Sequence, residues 1–552
     1  MQKNEDACIT NTKPLCLAGS SLRKKPAGLV FYAVVLFVYS ALLLLVCTRN
    51  SPLFAYQTWN DPNIYMDVGK AVRDGSVLYR DIFDHKGPLL LLGFSVLSMI
   101  FPHTMTGVYL LQTLTLGISL TYLFRTARMF LPDRASFTAA VIFPFFLLNN
   151  LTYGPGGGSA EELILPCFMG GMFFLVRACK AREPEPAIPM TPARVPYIVS
   201  DFFLQGVFAG AVILVKINLS AFFAAGCGIL FVHLLIQKKW KYFLQSAWRF
   251  FAGIFTAMLP CLIYFTSTGS FADFWDAYIV FNFKYASIPP DNGSSMSFFE
   301  AMGNGLYLNL AAVLCFALGF LALGLKRKSI TAPGIWTIIL TYAAMLTAVF
   351  ITGRAYTYQY IPLLCFAGIG EIGIALALIR LRRFFPVLPA MRKIPPAVRT
   401  LFRTVSFAGL AAVIILSNTL YPGIRFFQPE KTQAQKISDT ILSTWKPEKE
   451  GEHPSILFYN TGDIGICELT GSIPKLRVFY MPLINLAVYP DLLKVQQGYI
   501  RDGLADYIIC IVNTDDGDSA IAAINPEYRL TDTQGKYSED MWYFVKLYKK
   551  AV

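Results

Sequence analysis

The sequence predicts a polytopic α-helical membrane protein of about eleven transmembrane helices followed by a small extracytoplasmic α/β domain, and three observations lead there. First, 55% of the 552 residues are apolar and only 15% are charged, a balance that a soluble chain of this length cannot cover with polar surface. Second, the apolar residues come in blocks of about 15 to 21, the length that crosses a hydrocarbon core of about 30 Å. Third, these blocks cease near Leu420, and the remainder from Tyr421 onward carries 14 basic and 17 acidic residues with short alternating runs instead.

The blocks place spans at Leu29 to Cys47, Thr106 to Phe124, Ser136 to Leu151, Ile164 to Val176, Phe202 to Ile217, Leu219 to Ile236, Trp248 to Phe265, Asn304 to Leu325, Pro333 to Thr352, Tyr358 to Ile379 and Leu401 to Leu420. The first follows a basic tail, residues 1–28, and lacks a small-residue cleavage site, which makes it an anchor and not a signal peptide. Pro88 to Phe101 is apolar but 14 residues long, short for a span, and reads as a helix lying in the outer interface.

The net charge of +13 is explained by topology. More than half of the 48 Lys and Arg fall in the tail and in five connections: Arg125 to Arg134, Arg177 to Arg194, Lys238 to Lys241, Lys326 to Lys328 and Arg380 to Arg403. All lie on one side if the N-terminus is inside a cytoplasmic membrane, as the positive-inside rule requires, so no nucleic-acid partner is implied. An odd number of spans puts the C-terminus outside. The same topology leaves three outer loops, at about 48–103, 154–162 and 267–302, within a membrane domain of residues 29–420. The outer domain, 421–552, holds strand-like runs at 456–460, 476–480, 506–512 and 542–548, with a helical period over Leu492 to Ile500.

The 11 Cys include no CxxC pair and most sit in apolar runs, where they pack as small hydrophobes. Cys467 and Cys510 lie in the outer domain, where pairing is left open. With four His and no ligand-spaced cluster, a zinc site is not indicated.

Chemistry concentrates in the first outer loop, WNDPNIYMDVGKAVRDGSVLYRDIFDHKGPLLLL, which carries five Asp and one His. Asp61 before Pro62 also suits a plain helix start, Asp as the cap and Pro as the first helical residue, with Gly75 ending that helix. Glu371 lies inside the tenth span, where pairing within the bundle is explanation enough.

Asp61, Tyr65, Gly69, Tyr79, Asp81, Lys86 and Pro88 together resemble the polytopic GT-C glycosyltransferases, in the branch of the protein O-mannosyltransferases and lipid A aminoarabinose transferases. GGGSAEELILP (156–166), VKIN (215–218) and GRAYTYQY (353–360) resemble that family's second outer loop, its span-end Lys and its Tyr-rich outer turn. The chain departs from the family in having Pro62 after the acid and Gln359 in place of a common His. The resemblance implies a GT-C-like fold and transfer of a sugar, with inversion, from a polyprenyl-phosphate donor in the lipid bilayer to an extracytoplasmic acceptor.

On that reading Asp61 is the base and Lys86, Lys216 and Arg354 hold phosphate, while Tyr65, Asp81, His85, Glu161, Glu162, Tyr358 and Tyr360 bind substrate. Snorkelling accounts equally for Lys86 and Lys216 taken singly, and an interfacial aromatic belt for each Tyr. No cofactor is required, and a divalent cation between the carboxylates of the first two outer loops is left open. The competing readings are a flippase of lipid-linked sugars, which calls for repeat symmetry and mid-bilayer charges that the sequence does not display, and a non-catalytic assembly scaffold.

Overall fold

The computed structural model describes residues 26–148, 157–180, 199–287, 296–324, 329–354, 356–384, 431–482, 484, 489–512, 519–538 and 541–551. The expected span Leu401 to Leu420 lies outside these residues, as do the N-terminal tail and parts of the basic connections. The chain is a multi-pass helical membrane protein. Among the described residues six helices are long and apolar enough to cross a bilayer, seven if one bent pair counts as a single span.

The bent pair corrects the expectation of one helix from Asn304 to Leu325. Phe298–Leu308 and Leu310–Gly324 meet at 85°. Asn309 sits at the corner and its side-chain amide donates back to the Gly305 carbonyl at 3.0 Å, a local bond that competes with continued helix. The third expected span is likewise interrupted: Asp133–Ile142 ends before Phe143, and Pro144–Leu148 restarts, because Pro144 cannot donate to the helical ladder. Asp201–Ile213 is shorter than read, giving way to an extended Lys216 (φ −155°, ψ 98°) and a 3-10 turn, Ile217–Ser220, that leads into Ala221–Ile236. The third outer loop contains helix, Phe271–Phe274, Trp275–Val280 with π-type bonding, and Phe281–Ser287.

The first outer loop folds as two helices, Asn60–Arg73 and the short apolar Pro88–Ile100, that run side by side in the same direction, Gly69 against Phe94 and Arg73 bonded to the Ser98 carbonyl. They approach so closely that a methyl at Gly69 would lie 2.6 Å from the Phe94 carbonyl carbon. Pro88–Ile100 buries Leu90, Leu91 and Phe94 and exposes Val96, Met99 and Ile100.

The C-terminal part forms a four-stranded mixed sheet in the order β1-β2-β4-β3, with β1 Ile456–Phe458, β2 Tyr507–Val512, β3 Tyr528–Ser538 and β4 Met541–Lys550. β1 and β2 are parallel and the other pairs antiparallel. The helix Pro490–Arg501 covers the expected one. Two strand readings need correction. Residues 476–480 are not a strand, although the Phe479 carbonyl accepts from Phe458 N at 2.8 Å. β3 was missed because its polar run YRLTDTQGKYS lacks the apolar alternation of a half-buried strand. Cys467 and Cys510 are both buried free thiols.

This domain is clamped to the first loop. Arg477 donates to the Arg80 and Tyr79 carbonyls at 2.9 and 3.1 Å, and its own carbonyl accepts from Phe83 N at 2.8 Å. Glu468 accepts from Gln57 N and Met105 N, both at 3.3 Å. Beneath this seam Asp67 and Asp463 are fully buried. Burial pushes both carboxyls up, and the Lys70 ammonium lies 3.6 Å from Asp67.

Candidate functional site

Two adjoining cavities open where the first loop, the ends of the spans and the C-terminal domain meet. One, of about 490 Å³, is lined from the first loop by Trp59, Asn60, Asp61, Tyr65, Asp84, His85 and Lys86, from the third loop by Tyr285, and by Tyr356 and Tyr358; the C-terminal domain closes it with Asn460, Thr461, Gly462 and Tyr480. The other, of about 450 Å³, has Lys86, Lys216 and Arg354 among apolar walls that include Val215, Ile217, Ala221, Phe283 and Val349. His85, Lys86, Tyr285, Tyr356 and Tyr358 line both.

Asp61 lies in the first turn of Asn60–Arg73. It is not the cap, which is Trp59, so its carboxylate is released from the backbone and faces the cavity. It accepts from the Tyr65 hydroxyl at 3.0 Å and lies 3.7 Å from the Lys86 ammonium. The four-residue spacing puts Tyr65 one turn on, directly over Asp61. Burial, then Asp61, holds the Tyr65 phenol far above its usual range, so it stays protonated and donates.

Lys86 is placed by a turn with two unusual features. Tyr79 adopts φ +69°, and its hydroxyl donates to the Lys86 carbonyl at 2.6 Å. Gly87 packs against the end of another span, with Leu89 N donating to the Leu214 carbonyl at 3.2 Å. Burial alone would lower the Lys86 ammonium, but Asp61 and Asp84 outweigh it and the net direction is upward; Lys86 is a fixed cation. Neighbouring His85 is driven the other way, by burial and then by Lys86, Lys216 and Arg354, so its imidazole is neutral.

Lys216 projects from the break between Ile213 and Ile217, where the extended backbone turns it out of the helical ladder. Its ammonium pairs with Glu161 and sits 5.8 Å from the centre of the Tyr358 ring. Arg354 stacks at 3.6 Å over the Tyr285 ring and donates to the Tyr285 carbonyl at 3.1 Å. The two adjacent acids of the second loop thus part company. Glu161 turns to Lys216, whereas Glu162 accepts from Gln112 at 2.8 Å and from Gly158 N at 2.6 Å. That second arrangement needs Gly157 and Gly158 at φ +66° and +96°, a conformation glycine adopts freely.

Nine of the expected residues therefore gather around the cavities, with Glu161 and Glu162 in the tier behind the lining, and two do not gather. Asp81 points outward, 40% exposed, paired with Arg80 and accepting from Val77 N at 2.8 Å; it shapes the turn. Tyr360 is buried in the bundle with its hydroxyl 3.1 Å from that of Tyr342. The sequence reading missed Asp84, Tyr285, Tyr356, Tyr480 and the Asn460–Gly462 turn. Asp84 is completely buried and caps the turn by accepting from Lys86 N at 2.8 Å, whereas the Asp61 side chain is 20% exposed and within reach of a ligand.

The fold is that of a multi-pass membrane protein of GT-C type. The chain is similar to ArnT from Cupriavidus metallidurans bound to undecaprenyl phosphate, with a TM-score of 0.57 and 13% identity over 94% of this chain and 98% of that one. It is similar to the same protein in the apo state, with a TM-score of 0.56 and 13% identity over the same shares. The oligosaccharyltransferase AglB from Archaeoglobus fulgidus aligns over 95% of this chain and 74% of its own, with a TM-score of 0.47 and 12% identity. No family model and no curated protein matches the chain.

Proposed function

We propose that the protein is a glycosyltransferase that moves a sugar from a polyprenyl-phosphate donor to an extracytoplasmic acceptor with inversion, using Asp61 as base. The observation that carries this reading is the division of charge about Lys86. Three cations converge on the apolar-walled cavity, and one accessible carboxylate faces the other cavity from 3.7 Å across Lys86. Phosphate is a good leaving group, so the reaction needs no strong acid. It needs fixed positive charge where the phosphate departs and one base where the acceptor is deprotonated.

In the step, the acceptor oxygen or nitrogen bonds to the anomeric carbon as its proton passes to Asp61. The anomeric carbon–oxygen bond breaks and its electron pair leaves with the phosphate, held by Lys86, Lys216 and Arg354. One displacement from the face opposite the leaving group inverts the centre. Tyr65 donates to Asp61 and fixes its position. The apolar walls of the second cavity suit the first units of a polyprenyl chain. The similarity to ArnT bound to undecaprenyl phosphate supports the same donor class.

The test is transfer of radiolabelled sugar from a panel of polyprenyl-phosphate sugars by purified protein, wild type beside Asp61→Asn and Lys86→Ala. Asp61→Asn is expected to lower turnover by about 10²-fold or more, the range of a lost general base, with an unchanged melting temperature. A product anomer opposite to that of the donor is expected by NMR. Undiminished turnover in Asp61→Asn refutes the assignment of the base, and failure to consume any donor refutes the activity.

A further inference from the structure

The two cavities differ in what they can hold. The one with Lys216 and Arg354 carries three cations and no lining carboxylate. The other sets Asp61 and the buried Asp84 beside Lys86 as its one lining Lys or Arg, so it offers an anion far less positive charge. Its walls are instead aromatic faces interleaved with groups that both donate and accept hydrogen bonds. Trp59 packs on Tyr358 at 5.6 Å between ring centres, Tyr356 lies parallel to Tyr358 at the same separation, and Tyr65, Tyr285 and Tyr480 add further rings. Asn60, Asn460 and Thr461 supply amide and hydroxyl groups, the two-way partners that a polyhydroxylated ligand requires. Flat apolar faces beside such groups match a sugar ring, which has C–H surfaces on its faces and hydroxyls at its rim.

We infer that the acceptor is an uncharged carbohydrate, seated between the aromatic faces of the first loop and the Asn460–Gly462 turn of the C-terminal domain, with one hydroxyl directed at Asp61. This rests on the transferase reading above. It assigns the C-terminal domain a direct part in acceptor choice through residues nearly 400 positions from the base. The turn is built for this placement. Asn460 holds φ +52°, and its backbone N–H is tied to Gln496 at 3.0 Å. At Gly462 a methyl would lie 2.8 Å from the Asn60 amide nitrogen, so the Asn60 side chain packs directly on the backbone of the turn.

The experiment offers purified full-length protein a donor that it cleaves, together with three acceptor sets: short neutral hexose and pentose oligosaccharides, the same sugars carrying a phosphate monoester, and peptides containing Ser, Thr and Lys. Donor cleavage is followed separately as release of polyprenyl phosphate. The expected result is transfer to a neutral oligosaccharide with kcat/KM at least 10-fold above that for its phosphorylated form. Asn460→Gly, which keeps the backbone conformation and removes only the amide, is expected to raise the KM for that acceptor about 3- to 10-fold, the loss of a hydrogen bond or two, with a smaller change in kcat. Trp59→Ala is expected to raise it further and Trp59→Phe to restore most of it.

Donor cleavage with transfer only to phosphorylated or peptide acceptors, or to no neutral one, overturns the inference and leaves the transferase reading standing. An unchanged KM in both Asn460→Gly and Trp59→Ala overturns the placement. Absence of donor cleavage takes down both.

Discussion

Gly87→Ala tests whether the Lys86 turn must be pressed against the neighbouring span. Gly87 has φ −67° and ψ 147°, a conformation open to alanine, so backbone strain plays no part and only space matters. A methyl there would lie 2.0 Å from the Leu214 carbonyl oxygen and 2.5 Å from the Val215 Cα, where ordinary contact begins at 3.4 Å. The backbones must therefore separate by about 1.4 Å. Neither side can rotate out of the way, because both are main chain, and the Leu89–Leu214 hydrogen bond joins them at the same point.

Overpacking of this kind costs roughly 1–3 kcal/mol, and the displacement acts on the residue beside Lys86. Misplacement of a reacting group by about 1 Å is worth about 10²-fold in rate. We expect kcat/KM for sugar transfer to fall by about that factor, with the melting temperature lowered by a few degrees. The paired control is Gly93→Ala, on the helix that begins at Pro88, where a methyl meets nothing within 4 Å; it is expected to leave activity unchanged. Gly87→Ala retaining activity within threefold of wild type would refute the argument that this contact sets the position of Lys86.

Tyr79→Phe removes the hydroxyl that holds the Lys86 carbonyl, and should cost about 1 kcal/mol of stability with a several-fold loss of kcat/KM; equal kinetics would show that the turn holds without it. Gly319→Ala puts a methyl 1.8 Å from the Gly370 carbonyl oxygen and should destabilise the packing of Leu310–Gly324 on Leu364–Phe384 by about 2 kcal/mol or more, read as a lower melting temperature in detergent. The seam has a pH signature. Burial raises Glu468 to about 7, against about 4.3 unfolded, so the folded state binds the extra proton between those values. Stability is therefore fullest on the acid side of that window and falls as pH rises through it, by about 4 kcal/mol for this group. Burial moves Asp67 and Asp463 in the same direction. Glu468→Gln should flatten part of the decline in melting temperature between about pH 4 and 7, and parallel curves for the two proteins would refute the assignment.

What the sequence disclosed and what it withheld follow from the range of the interactions. Apolar block length is a one-dimensional property, so the multi-pass helical character was readable, and Asp61, Tyr65 and Lys86 were found because they share one short loop with a recognisable pattern. Breaks inside apolar blocks were harder to see: Asn309 and Pro144 stop helices through single local bonds that hydropathy does not register. Asp81 and Asp84 are three residues apart in one turn, and only the left-handed backbone at Tyr79 shows which turns outward. Tyr285, Tyr356, Tyr480 and the Asn460–Gly462 turn reach the cavities from remote parts of the chain and belong to no motif. They enter through docking of the C-terminal domain, which depends on tertiary contacts alone.

The five side chains that line both cavities carry a consequence for how such a protein diversifies. A substitution at Tyr285, Tyr356 or Tyr358 that reshapes one chamber moves a wall of the other, so donor and acceptor preferences cannot drift independently at these positions. Independent change is open only where a residue faces a single chamber, at Asn460 or Thr461 on one side and at Asn218 or Val349 on the other. Chains that share this fold but differ in acceptor should therefore vary first in the turn after β1, and chains that differ in the lipid carrier along the walls beside Lys216.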